Sequence, residues 1–130
     1  MEWGISRLVF CGVPILRAEL HGTVTLEDEV AFVAELESEA ADSRALIVDL
    51  SDADTTALTT DDLQAMAVNW ETSRFGNRRP MAAFTSTRSG LSASNMLLAH
   101  WVPDLTQVFR SEHEAIEWLA KRVRESSALS

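Results

Sequence analysis

Apolar and polar positions recur along this chain with two different periods, and the switches between them mark out the elements. Ile5 to Cys11 is apolar and rich in β-formers, and Gly12-Val13-Pro14 breaks it. From Ile15 to His21, Leu16, Ala18 and Leu20 alternate with Arg17, Glu19 and His21, so this strand has one wetter face. Together the two predict a hairpin. Thr25 reads as an N-cap, with Glu27 and Asp28 opposing the helix dipole. Leu26, Val30, Val33, Leu36 and Ala40 follow at helical spacing, with Glu35 and Glu39 on the solvated side. Ala41 to Arg44 closes this helix.

Ala45 to Val48 is a short apolar run, the pattern of a strand buried on both faces. A loop rich in Asp, Ser and Thr follows it. Thr59 and Asp62 then form a capping box, and Leu63, Met66, Ala67 and Trp70 sit at i, i+3, i+4 and i+7. Such a stripe packs in a core. Phe75 to Pro80 ends this helix. Met81 to Phe84 predicts a second buried strand, followed by the polar loop Thr85 to Gly90 and a helix carrying Leu91, Leu98 and Trp101. After Pro103 comes a short strand, Gln107 to Phe109. The capping box Ser111 to Glu114 opens a last helix with Ala115, Ile116, Leu119 and Val123 inward. Trp118 is expected to pack beneath it, and Ser126 to Ser130 to fray.

The order is β-β-α-β-α-β-α-β-α. It predicts an α/β fold: a mixed, mostly parallel sheet of about five strands, with four helices mainly on one face. Both faces of Ala45 to Leu50 and of Met81 to Phe84 are apolar, while Arg17, Glu19 and His21 wet the edge. If helices cover mainly one side, an apolar centre with a polar rim is left, and a homodimer is the expectation. The alternative cover for that face is the N-terminal segment around Trp3.

A length of 130 residues suits a single domain spanning 1–130, and 46% hydrophobic residues can fill one core. The formal charge is −9, from 20 acidic and 11 basic residues, which opposes binding to nucleic acid or anionic lipid. No apolar run is long enough for a membrane span, and Met1 to Gly4 does not open a signal peptide. The lone Cys11 permits no internal disulfide and suits a reducing compartment, so the expected location is cytoplasmic. In a strand it should be a small buried hydrophobe.

Several segments taken together resemble the SpoIIAA-like (STAS-like) proteins of bacteria. They are Gly22-Thr23-Val24-Thr25, Leu46 to Ser51, Leu58 to Leu63, and Val108-Phe109 with Glu114 to Leu119. The resemblance implies a mixed sheet with helices mainly on one side. Anti-sigma-factor antagonists of this fold carry Asp-Ser-Ser-Gly at the start of the second helix, where a serine is phosphorylated by a partner kinase. Here Thr59-Thr60-Asp61-Asp62 stands in that place. The glycine is absent, and Thr60 is the nearest hydroxyl to the modified position. Related domains bind nucleotides or lipid-like ligands.

Two polar loops at the ends of neighbouring strands are the candidate ligand or partner site. One supplies Asp49 and Ser51, with Thr59, Thr60 and Asp61 beyond it; the other supplies Ser86, Arg88, Ser89 and Gly90. Hydroxyls, one Arg and free amides before a helix suit a phosphate or carboxylate, though ordinary capping by Ser89 uses the same groups. Asp52-Ala53-Asp54-Thr55-Thr56 spells the Asp-x-Asp-x-Thr of haloacid-dehalogenase-type phosphotransferases, but begins three residues beyond Asp49, the expected strand end. An EF-hand fails because Ala57 replaces the turn glycine and Leu63 the bidentate Glu. No metal or other cofactor is expected, and His21, His100 and His113 show no triad or ligand spacing.

The expected function is therefore non-enzymatic: a regulatory or protein-interaction domain responding to a ligand or to modification at Thr60. Its partner is a protein or a small ligand. The alternative is a carrier of a small apolar or anionic ligand, and behind that a metal-dependent phosphatase.

Overall fold

The computed structural model describes residues 1–39, 43–73, 79–86 and 106–129. Strands β1 (Glu2–Phe10) and β2 (Val13–Thr23) form the expected hairpin, paired antiparallel from Glu2–His21 to Phe10–Val13. Its two-residue turn places Cys11 at φ 50° and Gly12 at φ 81°, the left-handed geometry of a type I′ turn. Cys11 is exposed there, not buried in a strand as its apolar neighbours suggested. The turn needs a residue to leave the ladder, and Cys11 is that residue.

Helix α1 (Leu26–Glu39), strand β3 (Ala45–Asp54), helix α2 (Thr60–Thr72) and strands β4 (Met81–Phe84) and β5 (Thr106–Phe109) follow. Helix α3 (Glu112–Leu129) ends the described chain. The sheet order is β1-β2-β3-β4-β5, and every pairing after the hairpin is parallel. Steps from β2 to β3 and from β3 to β4 run the same way across the sheet, so right-handed crossovers put α1 and α2 on one face. The expected helix carrying Leu91, Leu98 and Trp101 lies outside the described residues.

Two cores result. On the first face, Leu16, Ala18, Leu46, Val48, Met81 and Ala83 meet Phe32, Val33 and Leu36 of α1 and Leu63, Met66 and Trp70 of α2. On the second, Ile15, Ala45, Ile47, Ala82 and Phe84 meet Ala115, Leu119, Ala120 and Val123 of α3. The face expected to lie open for a second copy is thus covered by α3, so the argument for a homodimer loses its surface. Trp3 belongs to the other face, edge-on to Phe32 with centroids 5.7 Å apart, and its indole N–H donates to Glu35.

Strand β3 runs to Asp54, well past the Val48 boundary that its apolar run suggested. Its main chain pairs with β2 as far as Thr23–Asp54. Between the rungs Glu19–Asp49 and His21–Asp52, β3 takes three steps against two in β2. This bulge reverses the side-chain alternation. Leu46, Val48 and Leu50 face the first core before it and Ala53 after it, leaving Asp52 and Asp54 exposed.

The buried stripe of α1 also differs from expectation. Val30 is 47% exposed, while Glu29, Phe32, Val33 and Leu36 turn inward. In α3, Ala115, Leu119 and Val123 are buried as expected, Ile116 only partly. Trp118 is half-buried beside Phe109, with the Arg122 guanidinium 5.5 Å from its ring centroid.

Candidate functional site

The predicted site residues fall into three groups. Asp49, Ser51 and Ser86 come together where the end of β4 lies beside the middle of β3. The Ser51 N–H donates to Asp49 Oδ1 at 2.9 Å, and the Ser86 N–H donates to Ser51 Oγ at 3.2 Å. Asp49 Oδ2 lies 3.6 Å from Arg17 Nη2. This chain of contacts ties the end of β4 to the middle of β3.

The second group is at the start of α2. The Asp62 N–H donates to Thr59 Oγ1 at 3.1 Å, and the Thr59 N–H donates to Asp62 Oδ2 at 3.0 Å, completing the capping box. Thr60 and Asp61 follow in the first turn with their side chains exposed. Among the described residues, no hydrogen bond links this turn to the Asp49-Ser51-Ser86 group. The third group, Arg88, Ser89 and Gly90, lies outside the described residues.

Asp54 serves the turn that follows β3. Its Oδ1 accepts from the Thr56 N–H at 3.0 Å and the Thr56 hydroxyl at 2.6 Å, and these bonds hold its carboxyl below the usual carboxylate range. That is an Asx turn, the ordinary use of Asp in this place. Among the described residues, no three of the His, Cys, Asp and Glu side chains are grouped to hold a metal ion.

Two polar features escaped the sequence reading. The first is Arg17, on the second face of the sheet. Its Nε donates to Glu112 Oε1 at 2.5 Å, its Nη1 binds Glu19, and its guanidinium lies 5.9 Å from the Phe84 ring centroid. Burial works against its charge, but Glu112 and Glu19 outweigh it and raise the pKa. Arg17 thus fastens the start of α3 to β2. His21 continues the polar row, 3.4 Å from Asp52 and 3.7 Å from Glu19.

The second feature is Glu29, only 5% exposed within the first core. The Asn69 amide donates to both of its carboxyl oxygens, at 3.1 and 3.3 Å. Burial raises its pKa from 4.5 to about 7, and the Asn69 bond only partly offsets this. The signal was present in the sequence: Glu29, Phe32, Val33 and Leu36 stand at i, i+3, i+4 and i+7. An acid in a helix's first turn already has an explanation in the helix dipole, which masked it.

No protein-family model matches the chain, and no curated protein matches it in sequence. Solved structures do match it in three dimensions. One is an uncharacterised protein of the DUF3478 family with a SpoIIAA-like fold from Shewanella loihica PV-4. It has a TM-score of 0.61 and 18% identity, over 90% of this chain and 93% of that one. Another is an anti-sigma factor antagonist from Mycobacterium paratuberculosis, with a TM-score of 0.53 and 17% identity, over 92% of this chain and 95% of that one. The strand order, the hairpin and these likenesses agree that the chain has the SpoIIAA-like fold.

Proposed function

We propose that this chain is a non-enzymatic regulatory domain of the cytoplasm that acts by binding a protein partner at the start of α2, with Thr60 as the position where modification changes that binding. The carrying observation is the first turn of α2: a complete Thr59–Asp62 capping box holds the backbone while Thr60 and Asp61 project into solvent. A rigid, capped helix end with exposed polar side chains suits recognition better than chemistry. The shared fold supports the reading, since one of the similar structures is an anti-sigma factor antagonist. Among the described residues, no helix is long and apolar enough to cross a membrane.

Modification at Thr60 has a defined physical meaning. A phosphate there would meet the positive end of the helix dipole, yet stand beside Asp61 and Asp62. The helix would tolerate it while the surface changed its charge. A photo-crosslinking residue at Asp61, compared with one at the exposed Lys121 of α3, tests this in the native cells. The expected result is a partner adduct from position 61 alone, with its yield changed by Thr60→Glu. That substitution should alter folding stability by less than about 0.5 kcal/mol, as usual for an exposed site. The same adducts from both positions, or none from position 61, would sink the proposal.

A further inference from the structure

Strand β1 forms one edge of the sheet, and its 9 residues pair with β2 without a break from Glu2 to Phe10. The two-residue turn makes Phe10 and Val13 a hydrogen-bonded pair, and such pairs alternate along an antiparallel ladder. The even-numbered residues of β1 therefore turn their main-chain groups toward β2, while Trp3, Ile5, Arg7 and Val9 present theirs outward. Among the described residues, no hydrogen bond reaches these outward groups. Edge strands are commonly blunted by a proline, a bulge or a charge. Here β1 has no proline, its register is unbroken, and its Arg7 is engaged by Glu39 of α1 at 3.4 Å.

The edge has two unlike flanks. Trp3 and Ile5 pack on the first face, where Trp3 meets Phe32 of α1, and Leu8 and Phe10 pack on the second. Acids gather where α1 borders the edge. Asp28 is answered by the Met1 ammonium at 3.1 Å, and Glu39 by Arg7. Glu35 is exposed and accepts from the neutral Trp3 indole. Among the described residues, neither Glu35 nor the exposed Glu2 has a cationic partner. The edge therefore keeps an excess of negative charge, in a chain that carries −9.

We propose that the outer edge of β1 takes up an extended basic segment of a protein partner as an added strand of the sheet. Main-chain bonds to Trp3, Ile5, Arg7 and Val9 hold the segment, and its alternate side chains give specificity. Those on the first face stand beside Trp3 and Glu35, so a Lys or Arg there meets an aromatic ring and a carboxylate. Its stem covers Ile5 and Val9, the latter 72% exposed. Those on the second face stand beside Leu8 and Phe10 and are apolar. A second copy is the poorer occupant, because it brings the same unanswered acids and another charge of −9. This edge is separate from the start of α2, and either surface can fail without the other.

The probes are the peptide Lys-Val-Lys-Val-Lys-Val-Lys and its acidic counterpart with Glu for every Lys, read by amide hydrogen exchange in the intact chain. In the free protein the amides of Trp3, Ile5, Arg7 and Val9 should exchange freely, while those of Gly4, Ser6 and Leu8 are protected. The basic peptide should bind saturably and slow exchange at the outward amides by about tenfold or more. The acidic peptide should bind about tenfold more weakly or worse. Glu35→Gln should weaken the basic peptide by about threefold, the effect of one rim charge. Ile5→Pro deletes an outward N–H and keeps the β2 ladder, because proline is tolerated on an edge whose N–H faces solvent. Retained protection at Gly4, Ser6 and Leu8 reports that it has folded, and it should bind the basic peptide about tenfold more weakly. The proposal is overturned by no saturable binding, by equal binding of the two peptides, or by protection that misses the outward amides. Undiminished binding to Glu35→Gln or to folded Ile5→Pro also overturns it. So does protection of the outward amides without peptide in a chain that sediments as a dimer, which would assign the edge to a second copy.

Discussion

On the first face of the sheet, Phe32, Met66, Trp70 and Met81 pack large, irregular side chains around a cavity; on the second, Ala45, Ala82, Ala115 and Ala120 let α3 lie close to the strands. Each face also holds a charged group that an apolar core would reject. Arg17, on the second face, has Glu19, Asp49 and Glu112 around it. Glu29, on the first, has a single neutral amide. A charge that is fully answered acts as a fastener, and here it docks α3. A charge that is under-answered costs stability, and sites of function are where such costs persist. The contrast separates a second face fastened by an answered charge from a first face that buries an under-answered one.

The largest expected effect is on the first face. Trp70 is 3% exposed and lines the cavity, so Trp70→Ala should destabilise by about 3–5 kcal/mol in urea unfolding. A loss under about 1 kcal/mol would mean that this face is not a packed core. Next comes the fastener on the second face. Arg17→Met leaves three carboxylates without their common cation. Because Arg17 is partly exposed, the cost is discounted to about 1–2 kcal/mol. No measurable loss would remove the distinction between the two charged groups. The smallest is Thr59→Ala, which breaks the capping box of α2 and should cost about 1 kcal/mol, read as a lower thermal midpoint.

The elements that periodicity can report were legible. The alternation of Ile15 to His21, the stripe through Trp70 and the Thr59–Asp62 box all take the predicted form. The second half of β3 was not, because Ser51, Asp52 and Asp54 have loop composition. What makes this stretch a strand is main-chain pairing with β2, which no side-chain pattern encodes. The bulge that turns Ala53 inward is likewise a property of two strands together. Of the candidate site, the α2 cap and the Asp49, Ser51 and Ser86 grouping were within reach. The Arg17–Glu112 contact spans 95 positions and arises only when α3 folds across the sheet.

The account rests most directly on the state of Glu29. Its folded pKa, about 7, lies above the 4.5 of an unperturbed carboxyl. The folded chain therefore holds this proton more tightly than the unfolded chain does. The resulting stabilisation is fully present below about pH 4.5 and is lost as pH rises through about pH 7, amounting to about 3 kcal/mol. Glu29→Gln should lack this loss. The decisive measurement is a ¹³C NMR titration of the Glu29 side-chain carboxyl in the native protein. The account predicts a midpoint at about pH 7, and a midpoint near 4.5 would show the carboxyl solvated and contradict it.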